Sequence, residues 1–413
     1  MEYGLIGSKL GHSYSKIIHE MLCGYHYDLC PLPTEEEARA FLTRRQFKAI
    51  NVTIPYKRLV MEYCTYIDPR AKAIGAVNTV VNKNGLLYGY NTDYLGFAHL
   101  CDAHGVDFAG KTVLILGTGG ASKTAHALAE FMGAKSVDYV SRSGKGGSIT
   151  YEQAVQEHND AQIIINATPA GMFPKVEGRP MDISSFPKLE GVLDAIYNPL
   201  RTNLILDAQE RGIPAEGGLY MLSAQAVYAS AVFQSIKLDE SLIKRAFDSV
   251  KSAKQNIVLV GMPSSGKTTV GRILAEKCGK ELADTDEYIV KKIGMSISDF
   301  FAKFGEPEFR RIEKETIAEL AATGGKVIAT GGGAVLDPEN VRALKQNGTI
   351  VFLDRAPENL IATDDRPLAS RRSALEKLYA ERYDIYTAAA EIRIDANTTP
   401  EAEADAILKE LGE

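Results

Sequence analysis

Residues 256–269, NIVLVGMPSSGKTT, place a short apolar run directly before the segment Gly261-Met-Pro-Ser-Ser-Gly266-Lys267-Thr268. The spacing matches the pattern GxxxxGK[ST] between a predicted strand and a predicted helix, which is the context of a phosphate-binding loop. Glycines let successive backbone N–H groups point at a polyphosphate, and the start of the following helix adds a positive end. We therefore predict that this stretch binds ATP or GTP and begins a separate α/β unit.

The residues of this loop have separate predicted roles. Lys267 can reach the β- and γ-phosphates, which makes it a catalytic candidate, and Thr268 can ligate Mg²⁺. Asp284-Thr-Asp286 ends the next short apolar stretch, and two carboxylates at this spacing on a strand end point the same way. We expect Asp284 to join Thr268 at the metal and Asp286 to face the acceptor hydroxyl as a catalytic group. The predicted nucleotide contacts are Gly261, Ser264, Ser265, Gly266, Lys267, Thr268 and Thr269.

A second glycine-rich turn, Gly117-Thr-Gly119-Gly120, follows the apolar run 111–116 and opens a predicted helix. The next predicted strand ends in Ser141-Arg142-Ser143, where an enzyme specific for NAD would carry an acid for the ribose 2′-hydroxyl. An arginine flanked by hydroxyls suits a 2′-phosphate instead, so the sequence favours NADP(H) over NAD(H). The predicted dinucleotide contacts are Gly117, Gly119, Gly120, Ala121, Lys123, Ser141, Arg142, Ser143, Thr168, Gly218 and Met221.

Polar residues are dense at the predicted strand ends of the first 225 residues. Such groups cost stability in a core, but they suit a polyhydroxylated ligand whose hydroxyls each need a partner. They lie in the segments 12–15 (HSYS), 51–57 (NVTIPYK), 75–79 (GAVNT), 91–97 (NTDYLGF), 166–172 (NATPAGM), 194–199 (DAIYNP) and 217–225 (GGLYMLSAQ).

This series of segments resembles shikimate dehydrogenase over residues 1 to about 250. The resemblance implies that Lys57 and Asp93 form the catalytic pair. Hydride delivered to a ring ketone creates an alkoxide, which needs a proton donor within hydrogen-bond reach, and a carboxylate can orient a lysine for that purpose. Lys16 is a departure, because this family commonly has proline there. The implied substrate ligands are Ser13, Ser15, Thr53, Asn78, Asp93, Tyr197 and Gln225.

The segments after the phosphate loop resemble shikimate kinase over residues 255–413. The resemblance implies that Arg310 and Arg382 hold the substrate carboxylate, since guanidinium groups bind carboxylates in a bidentate manner. It also implies that Asp286 contacts the hydroxyl that is phosphorylated. The remaining implied substrate-site residues are Gly331, Gly332 and Gly333, which allow close approach to the ring, and Arg366 on the lid side.

The lid of the second region departs from that family. The ten residues between Arg355 and Arg366 contain no basic residue, whereas the family carries a longer lid with an arginine over the ATP phosphates. A shorter lid is expected to leave the phosphates less shielded and to weaken turnover or nucleotide affinity. Arg371 and Arg372, just downstream, are candidates to replace the missing arginine.

The predicted fold class is α/β throughout. Residues 1–100 with 220–250 are expected to form an α/β substrate domain, and residues 101–219 an inserted Rossmann-like NADP domain. Residues 251–255 are interpreted as a linker, and residues 256–413 as a P-loop domain like the nucleoside monophosphate kinases, with a parallel sheet. Within these domains the sequence predicts a hairpin at Asn84-Gly85, a last strand of the NADP domain at 191–199 and a long helical region at 220–252.

Composition limits the remaining possibilities. The net charge of -6 argues against a nucleic-acid surface, and no apolar run is long enough for a membrane span. The N-terminus lacks the pattern of a secretion signal, and the 5 cysteines form no CxxC pair, so a reducing cytoplasm is expected. The expected partners are small molecules, 3-dehydroshikimate and shikimate, with NADP(H), ATP and Mg²⁺. The sequence leaves the oligomeric state open.

Three functions fit the sequence. The leading one is a bifunctional enzyme that reduces 3-dehydroshikimate to shikimate and then phosphorylates shikimate to shikimate 3-phosphate. A shikimate or quinate sensor with a degenerate kinase domain is the second, supported mainly by the short lid. The third is a dehydrogenase that prefers quinate, whose extra hydroxyl the sequence does not exclude.

Overall fold

A computed structural model of the protein describes residues 1–11, 13–360 and 372–412, without the side chains of residues 372–374. The chain divides into two compact units, Met1–Lys251 and Ser252–Glu413. The predicted lid residues Arg366 and Arg371 lie outside the described residues, as does the side chain of Arg372. No helix in the described ranges is long and apolar enough to cross a membrane.

The first unit opens with a six-stranded sheet. Its strands are β1 (Tyr3–Gly7), β2 (Asp28–Pro31), β3 (Ala49–Val52), β4 (Tyr66–Ile67), β5 (Thr79–Lys83) and β6 (Leu86–Tyr90), in the spatial order β2-β1-β3-β5-β6-β4. Its helices are α1 (Ser15–Leu22), α2 (Glu35–Arg44), α3 (Pro69–Ile74) and α4 (Asp93–His104).

The hairpin predicted at Asn84-Gly85 is confirmed. Asn84 and Gly85 have φ angles of 52° and 85°, and the left-handed pair is typical of a two-residue turn between twisted strands. The hairpin makes β5 and β6 antiparallel, and β5 also runs antiparallel to β3. This sheet is therefore mixed: the antiparallel pairing of β5 with β6 follows from the predicted hairpin, whereas the antiparallel pairing of β5 with β3 was not predicted.

A second, fully parallel sheet follows in the same unit. Its strands are β7 (Thr112–Leu116), β8 (Ser136–Val140), β9 (Ile163–Asn166), β10 (Gly191–Asp194) and β11 (Ala215–Glu216), in the order β11-β10-β9-β7-β8. Helices α5 (Gly120–Phe131), α6 (Tyr151–Glu157) and α7 (Asn203–Glu210) connect them. Strand β11 extends the series beyond the predicted last strand; its two residues are too few to show a periodic pattern.

The helical region predicted at 220–252 consists of two helices, α8 (Leu219–Gln234) and α9 (Ser241–Lys254). The break lies at Ser235, whose φ of 53° is left-handed and ends α8. Residues 251–254, predicted as a linker, are the last turn of α9, because a short polar stretch without glycine or proline is also compatible with an exposed helix end.

Helix α8 packs closely across α4. A Cβ on Gly96 would lie 2.5 Å from the carbonyl oxygen of Met221, so the crossing has room only for glycine. This contact holds the start of α8, with Met221 and Gln225, beside α4, which begins at Asp93.

The second unit is built on one parallel sheet. Its strands are β12 (Asn256–Val260), β13 (Glu281–Asp284), β14 (Lys326–Ala329), β15 (Gly348–Asp354) and β16 (Ile392–Asp395), in the order β13-β14-β12-β15-β16. Its helices are α10 (Lys267–Cys278), α11 (Thr285–Ile293), α12 (Ile297–Ala321), α13 (Pro338–Asn347), α14 (Arg372–Ala389) and α15 (Pro400–Leu411). The apolar strand β12 is central and fully buried, so its carboxyl end delivers the phosphate loop to the middle of the sheet edge.

Candidate active sites

Lys57 and Asp93 meet in the first unit. Lys57 lies shortly after β3 and Asp93 is the first residue of α4, so two separate elements bring the charges together. The Lys57 Nζ donates to Asp93 Oδ2 at 2.7 Å, and the two side chains are 19% and 13% exposed. A pair this sheltered orients the ammonium group, which can then donate a proton to an oxygen placed beside it.

Uncharged polar groups form a buried network that includes Thr92, the residue before Asp93. The backbone N–H of Thr92 donates to Asn78 Oδ1 at 2.7 Å, and the Asn78 Nδ2 donates to Thr92 Oγ1 at 3.1 Å. The Asn78 Nδ2 and the Thr92 hydroxyl also lie 3.5 Å and 3.3 Å from Gln225 Oε1. The structure thus brings the predicted ligands Asn78 and Gln225 together through Thr92, for which the sequence patterns predicted no role.

Ser13, Ser15 and Tyr197 form a second group of predicted ligands. The backbone N–H of Ser15 donates to Ser13 Oγ at 3.3 Å, at the start of α1. Burial raises the pKa of the Tyr197 phenol, and a hydrogen bond with Ser13 lowers it in part. The Tyr197 ring lies 5.2 Å from that of Tyr14. These contacts hold the loop before α1 against the segment that follows β10.

Thr53 is positioned by a glycine. Its backbone N–H donates to the carbonyl of Ile6 at 2.9 Å, just beyond the end of β3. A Cβ on Gly7 would overlap the Thr53 methyl group, so glycine at the end of β1 leaves the space that Thr53 occupies.

The predicted dinucleotide turn lies beside the Lys57–Asp93 pair. Gly117 has a φ of 102° after β7, and the exposed Gly119 and Gly120 begin α5. A Cβ on Gly120 would lie 4.0 Å from the Cδ of Lys57. A turn of exposed glycines at a helix N-terminus fits a pyrophosphate, and here it would deliver a dinucleotide next to the lysine.

The remaining dinucleotide candidates lie near β-strand ends and helix starts of the first unit. The Thr168 side chain packs against Gly117, since a Cβ there would lie 3.0 Å from Thr168 Cγ2. Gly218 precedes α8, and a Cβ on it would overlap the carbonyl of Ala195. Three further candidates lie in the first turns of α5 and α8; they are the half-buried Ala121 and Lys123 and the buried Met221.

The two serines of the Ser141-Arg142-Ser143 segment form hydrogen bonds within the loop that follows β8. The Ser141 Oγ accepts from the Gly144 N–H at 3.1 Å and lies 2.7 Å from Ser148 Oγ. The Ser143 Oγ accepts from the N–H of Lys145 at 3.4 Å. The loop therefore presents Arg142 as an exposed side chain, while both neighbouring hydroxyls already have backbone partners.

A cavity of about 910 Å³ occupies the second unit at the carboxyl ends of its strands. Two predicted nucleotide contacts are not part of its lining. Ser265 is fully buried, and Gly261 (φ 150°) is confined by the carbonyl of Leu353, 2.8 Å from the position of a Cβ. The predicted residues that do line the cavity are Ser264, Gly266, Lys267, Thr268, Thr269, Asp284, Asp286, Arg310, Gly331, Gly332, Gly333 and Arg382.

The phosphate loop and the aspartates are linked by hydrogen bonds. The Lys267 Nζ donates to the carbonyls of Gly261 and Met262 at 3.0 Å and 2.8 Å, so it curls over the loop. The Thr268 hydroxyl donates to Asp284 Oδ2 at 2.7 Å. A hydroxyl and a carboxylate are hard oxygen donors, so this pair fits Mg²⁺ in its preferred coordination.

The sequence predicted both aspartates on a strand end, but the structure places only one of them there. Asp284 ends β13, whereas Asp286 is in the first turn of α11. The reason is local: the Asp284 carboxylate caps α11 by accepting from the N–H of Asp286 at 3.0 Å, and this starts the helix at once. Both side chains nevertheless face the same cavity.

Arg310 lies on α12 with acidic partners. Its Nη1 donates to Glu313 Oε2 at 2.7 Å, and its Nη2 donates to Glu306 Oε1 at 3.0 Å. Burial raises the pKa of Glu313, and Arg310 offsets part of that effect. No role was predicted for Glu313, although its i,i+3 spacing from Arg310 on one helix face is a signal that could have identified it.

The three predicted glycines touch the charged side chains. A Cβ on Gly331 would lie 2.8 Å from Asp286 Oδ1, and a Cβ on Gly333 would overlap the Arg310 guanidinium. The Arg382 Nη1 donates to the carbonyl of Gly332 at 3.1 Å. The backbone after β14 thus approaches both arginines and the aspartate so closely that a larger residue at Gly331 or Gly333 would displace a charged side chain.

Comparison with known proteins gives two families. A shikimate kinase family model matches residues 263–412. A family model of the shikimate dehydrogenase substrate-binding domain matches residues 5–80. The two matches fall in different compact units, so neither family alone accounts for the chain.

Relatives of the first unit are similar over nearly their whole length. A shikimate dehydrogenase (NADP(+)) of Clostridium beijerinckii is 36% identical over 256 residues, which cover 58% of this chain and 94% of the relative. Among solved structures, a chorismate mutase/shikimate 5-dehydrogenase fusion protein from Clostridium acetobutylicum is 33% identical with a TM-score of 0.56, over 60% of this chain and 96% of its own. The Thermus thermophilus shikimate 5-dehydrogenase in complex with NADP(H) and shikimate is 27% identical with a TM-score of 0.54, over 60% and 99%.

Proposed function

Because the chain belongs to the shikimate dehydrogenase family and carries a shikimate kinase domain at its C-terminal end, we propose that it catalyses two consecutive reactions. The first is the reduction of 3-dehydroshikimate to shikimate with NADPH. The second is the transfer of a phosphoryl group from ATP to shikimate, which gives shikimate 3-phosphate. The observation that carries the proposal is the Lys57–Asp93 contact of 2.7 Å beside the dinucleotide turn, since it combines a proton donor with a hydride source.

In the reduction, Lys57 supplies the proton. NADPH, when bound, would supply the hydride for the carbonyl carbon of the substrate. The electron pair of the carbonyl moves to its oxygen, and that oxygen takes a proton from the Lys57 ammonium group. Asp93 keeps the ammonium oriented through the contact already present. Asn78 and Gln225, held together through Thr92, bind substrate hydroxyls through their side-chain amide groups.

The other residues proposed to bind the dehydrogenase substrate carry hydroxyl groups. Ser13 and Ser15 lie at the start of α1, and Tyr197 stands next to Ser13. Thr53 follows β3, four residues before Lys57. Hydroxyl groups suit this role, because each can donate to one substrate oxygen and accept from another hydroxyl.

In the phosphorylation, different charged residues bind the substrate, the phosphate and the metal. Arg310 and Arg382 bind the substrate carboxylate from α12 and α14, and Asp286 accepts the hydrogen bond of the hydroxyl that attacks. Lys267 binds the transferred phosphate, and Thr268 with Asp284 holds Mg²⁺. The glycines after β14 leave the ring free to approach these groups.

Two point variants test both reactions in one protein. Lys57→Ala should lower the reduction of 3-dehydroshikimate about 10²- to 10⁴-fold, the usual contribution of a general acid, and leave ATP-dependent phosphorylation unchanged. Lys267→Met should abolish phosphorylation and leave the reduction unchanged, because it removes the loop cation. Each variant is the folding control for the other.

The other functions predict different results in the same assays. A wild-type protein that binds shikimate but shows neither activity would contradict the proposal and support a sensor. Oxidation of quinate with a higher kcat/KM than that of shikimate would replace the proposed dehydrogenase substrate, while leaving the kinase assignment standing.

A further inference from the structure

Arg355 lies at the carboxyl end of β15, and no motif in the sequence predicts a role for it. Strand β15 is parallel to β12, with Phe352 opposite Val260, so the carboxyl ends of both strands open on one edge of the sheet. The carbonyl of Leu353 lies 2.8 Å from the position of a Cβ on Gly261. The chain therefore reaches Arg355 while running directly against the start of the phosphate loop.

The guanidinium of Arg355 is held next to that loop. Its Nε donates to the carbonyl of Asn359 at 3.1 Å, and the Nδ2 of Asn359 donates to Asn397 Oδ1 at 2.8 Å. Its Nη1 lies 3.7 Å from the position that a Cβ on Gly266 would take. One nitrogen thus anchors the side chain, and another lies beside the residue that precedes α10, where a bound phosphate is expected.

Other cations near the cavity already have partners. Lys267 donates to two loop carbonyls, and Arg310 pairs with Glu306 and Glu313. Within the described ranges Arg355 forms no ion pair with a carboxylate. Burial raises the pKa of Glu403 in α15, and the nearby charge of Arg355 offsets part of that rise.

We propose that Arg355 binds the phosphate chain of the nucleotide in the kinase reaction. This inference rests on the proposed kinase function. A polyphosphate carries several negative charges, and a guanidinium held in place by one hydrogen bond can offer its remaining N–H groups to phosphate oxygens at little entropic cost. The position beside Gly266, at the helix N-terminus, favours a phosphate contact over stacking on the base.

The test measures equilibrium binding of MgATP to the full chain by calorimetry. Arg355→Gln should raise the Kd for MgATP about tenfold through loss of a charge-assisted contact, and Arg355→Lys should raise it less. The loss in Arg355→Gln should shrink at high salt, because screening weakens the contact in the wild type. Arg272→Gln, an exposed arginine on the phosphate-loop helix α10, is the matched control and should bind like wild type.

A change in folding has its own readouts. The KM for shikimate in the phosphorylation assay and the rate of NADPH oxidation should be unchanged in Arg355→Gln, since neither depends on this contact. If Arg355→Gln weakened shikimate binding and NADPH oxidation as well as MgATP binding, a specific role for Arg355 would be contradicted.

The remaining outcomes separate the inference from the proposed function. A Kd within about twofold of wild type in Arg355→Gln would overturn the inference and leave the kinase proposal intact. An equally large loss in Arg355→Lys that salt does not alter would also overturn it, in favour of stacking on the base. Failure of wild-type protein to bind MgATP would contradict the kinase function itself.

Discussion

The two candidate active sites use charge in different ways. In the first unit one ion pair, Lys57 with Asp93, accompanies a network of uncharged amides and hydroxyls around Asn78. In the second unit most of the polar groups that line the cavity are charged, and Arg310 already has acidic partners. The difference follows the proposed ligands, because a ring ketone with hydroxyl groups needs hydrogen bonds whereas a polyphosphate and a carboxylate need positive charge.

The free-energy cost of burying the polar groups also differs between the two sites, because one site is mainly uncharged and the other is charged. Uncharged polar groups can be buried at little cost when each has a hydrogen-bond partner, as Asn78 and Thr92 have. A buried charge needs an opposite charge before any ligand arrives, which accounts for Glu313 beside Arg310. In the kinase site, glycine backbone is pressed against these charges, so small changes there should have large effects.

Of three substitutions that compare the two sites, Gly333→Ala is expected to have the largest effect. The added methyl group would overlap the Arg310 guanidinium and push it away from Glu313 and from the substrate carboxylate. We expect kcat/KM for shikimate phosphorylation to fall about 100-fold, the scale of a misplacement of about 1 Å in a catalytic site. Reduction of 3-dehydroshikimate should be unaffected. A kinase with wild-type kcat/KM would show that the close approach of backbone and charge is not required.

A smaller effect is expected from Arg142→Gln in the first unit. The exposed arginine would lose its contact with a 2′-phosphate, so the KM for NADPH should rise about tenfold and the KM for NADH should stay constant. Steady-state kinetics with both cofactors measures the ratio. An equal rise for NADPH and NADH would show that Arg142 shapes the loop and does not recognise the 2′-phosphate.

The third effect is on stability and concerns the buried aromatic interior of the first unit. His19 on α1 stacks on Tyr27 with ring centroids 4.2 Å apart, and burial lowers the pKa of His19 to about 3. The unfolded chain binds a proton near pH 6.5, so stability is complete above that pH and falls as the pH drops towards 3. Between pH 7 and pH 5 this group should cost about 2 kcal/mol of unfolding free energy, since each pH unit is worth about 1.4 kcal/mol.

His19→Phe removes that titration and keeps an aromatic ring in the stack. Denaturant unfolding at pH 7 and pH 5 measures the free energy of unfolding of the first unit. Its decrease between the two pH values should be about 2 kcal/mol smaller in His19→Phe than in the wild type. His26→Phe, at a side chain that is 68% exposed, is the control and should change the dependence less. Identical pH dependence in wild type and His19→Phe would mean that the folded protein accommodates a protonated His19.

Parts of the structure followed from short-range patterns. The hairpin at Asn84-Gly85 could be predicted, because a two-residue turn of this type needs left-handed backbone that these residues adopt readily. The phosphate loop could be placed between a strand and a helix for a similar reason, since glycine spacing and an apolar run are local features. The pairing of β5 with β3, which makes the first sheet mixed, could not be predicted, because strand pairing depends on distant residues.

The candidate sites show the same division. The motifs identified Lys57, Asp93, Lys267 and Asp286, but they did not reveal that Asp286 lies on a helix started by the cap at Asp284. The i,i+3 spacing from Arg310 pointed to Glu313 only weakly, and the structure shows its importance because its carboxylate is buried against Arg310.

The sequence by itself determined the α/β class, the presence of two nucleotide-binding turns and the resemblance to two enzyme families, since each depends on residue type and spacing along the chain. Only the tertiary structure decided which groups meet: Gly120 beside Lys57, Gln225 beside Asn78, and Arg355 beside Gly266. The physical reason is that a hydrogen bond or a charge contact acts over a few ångströms. Residues more than a hundred positions apart reach that distance only when sheets and helices have packed.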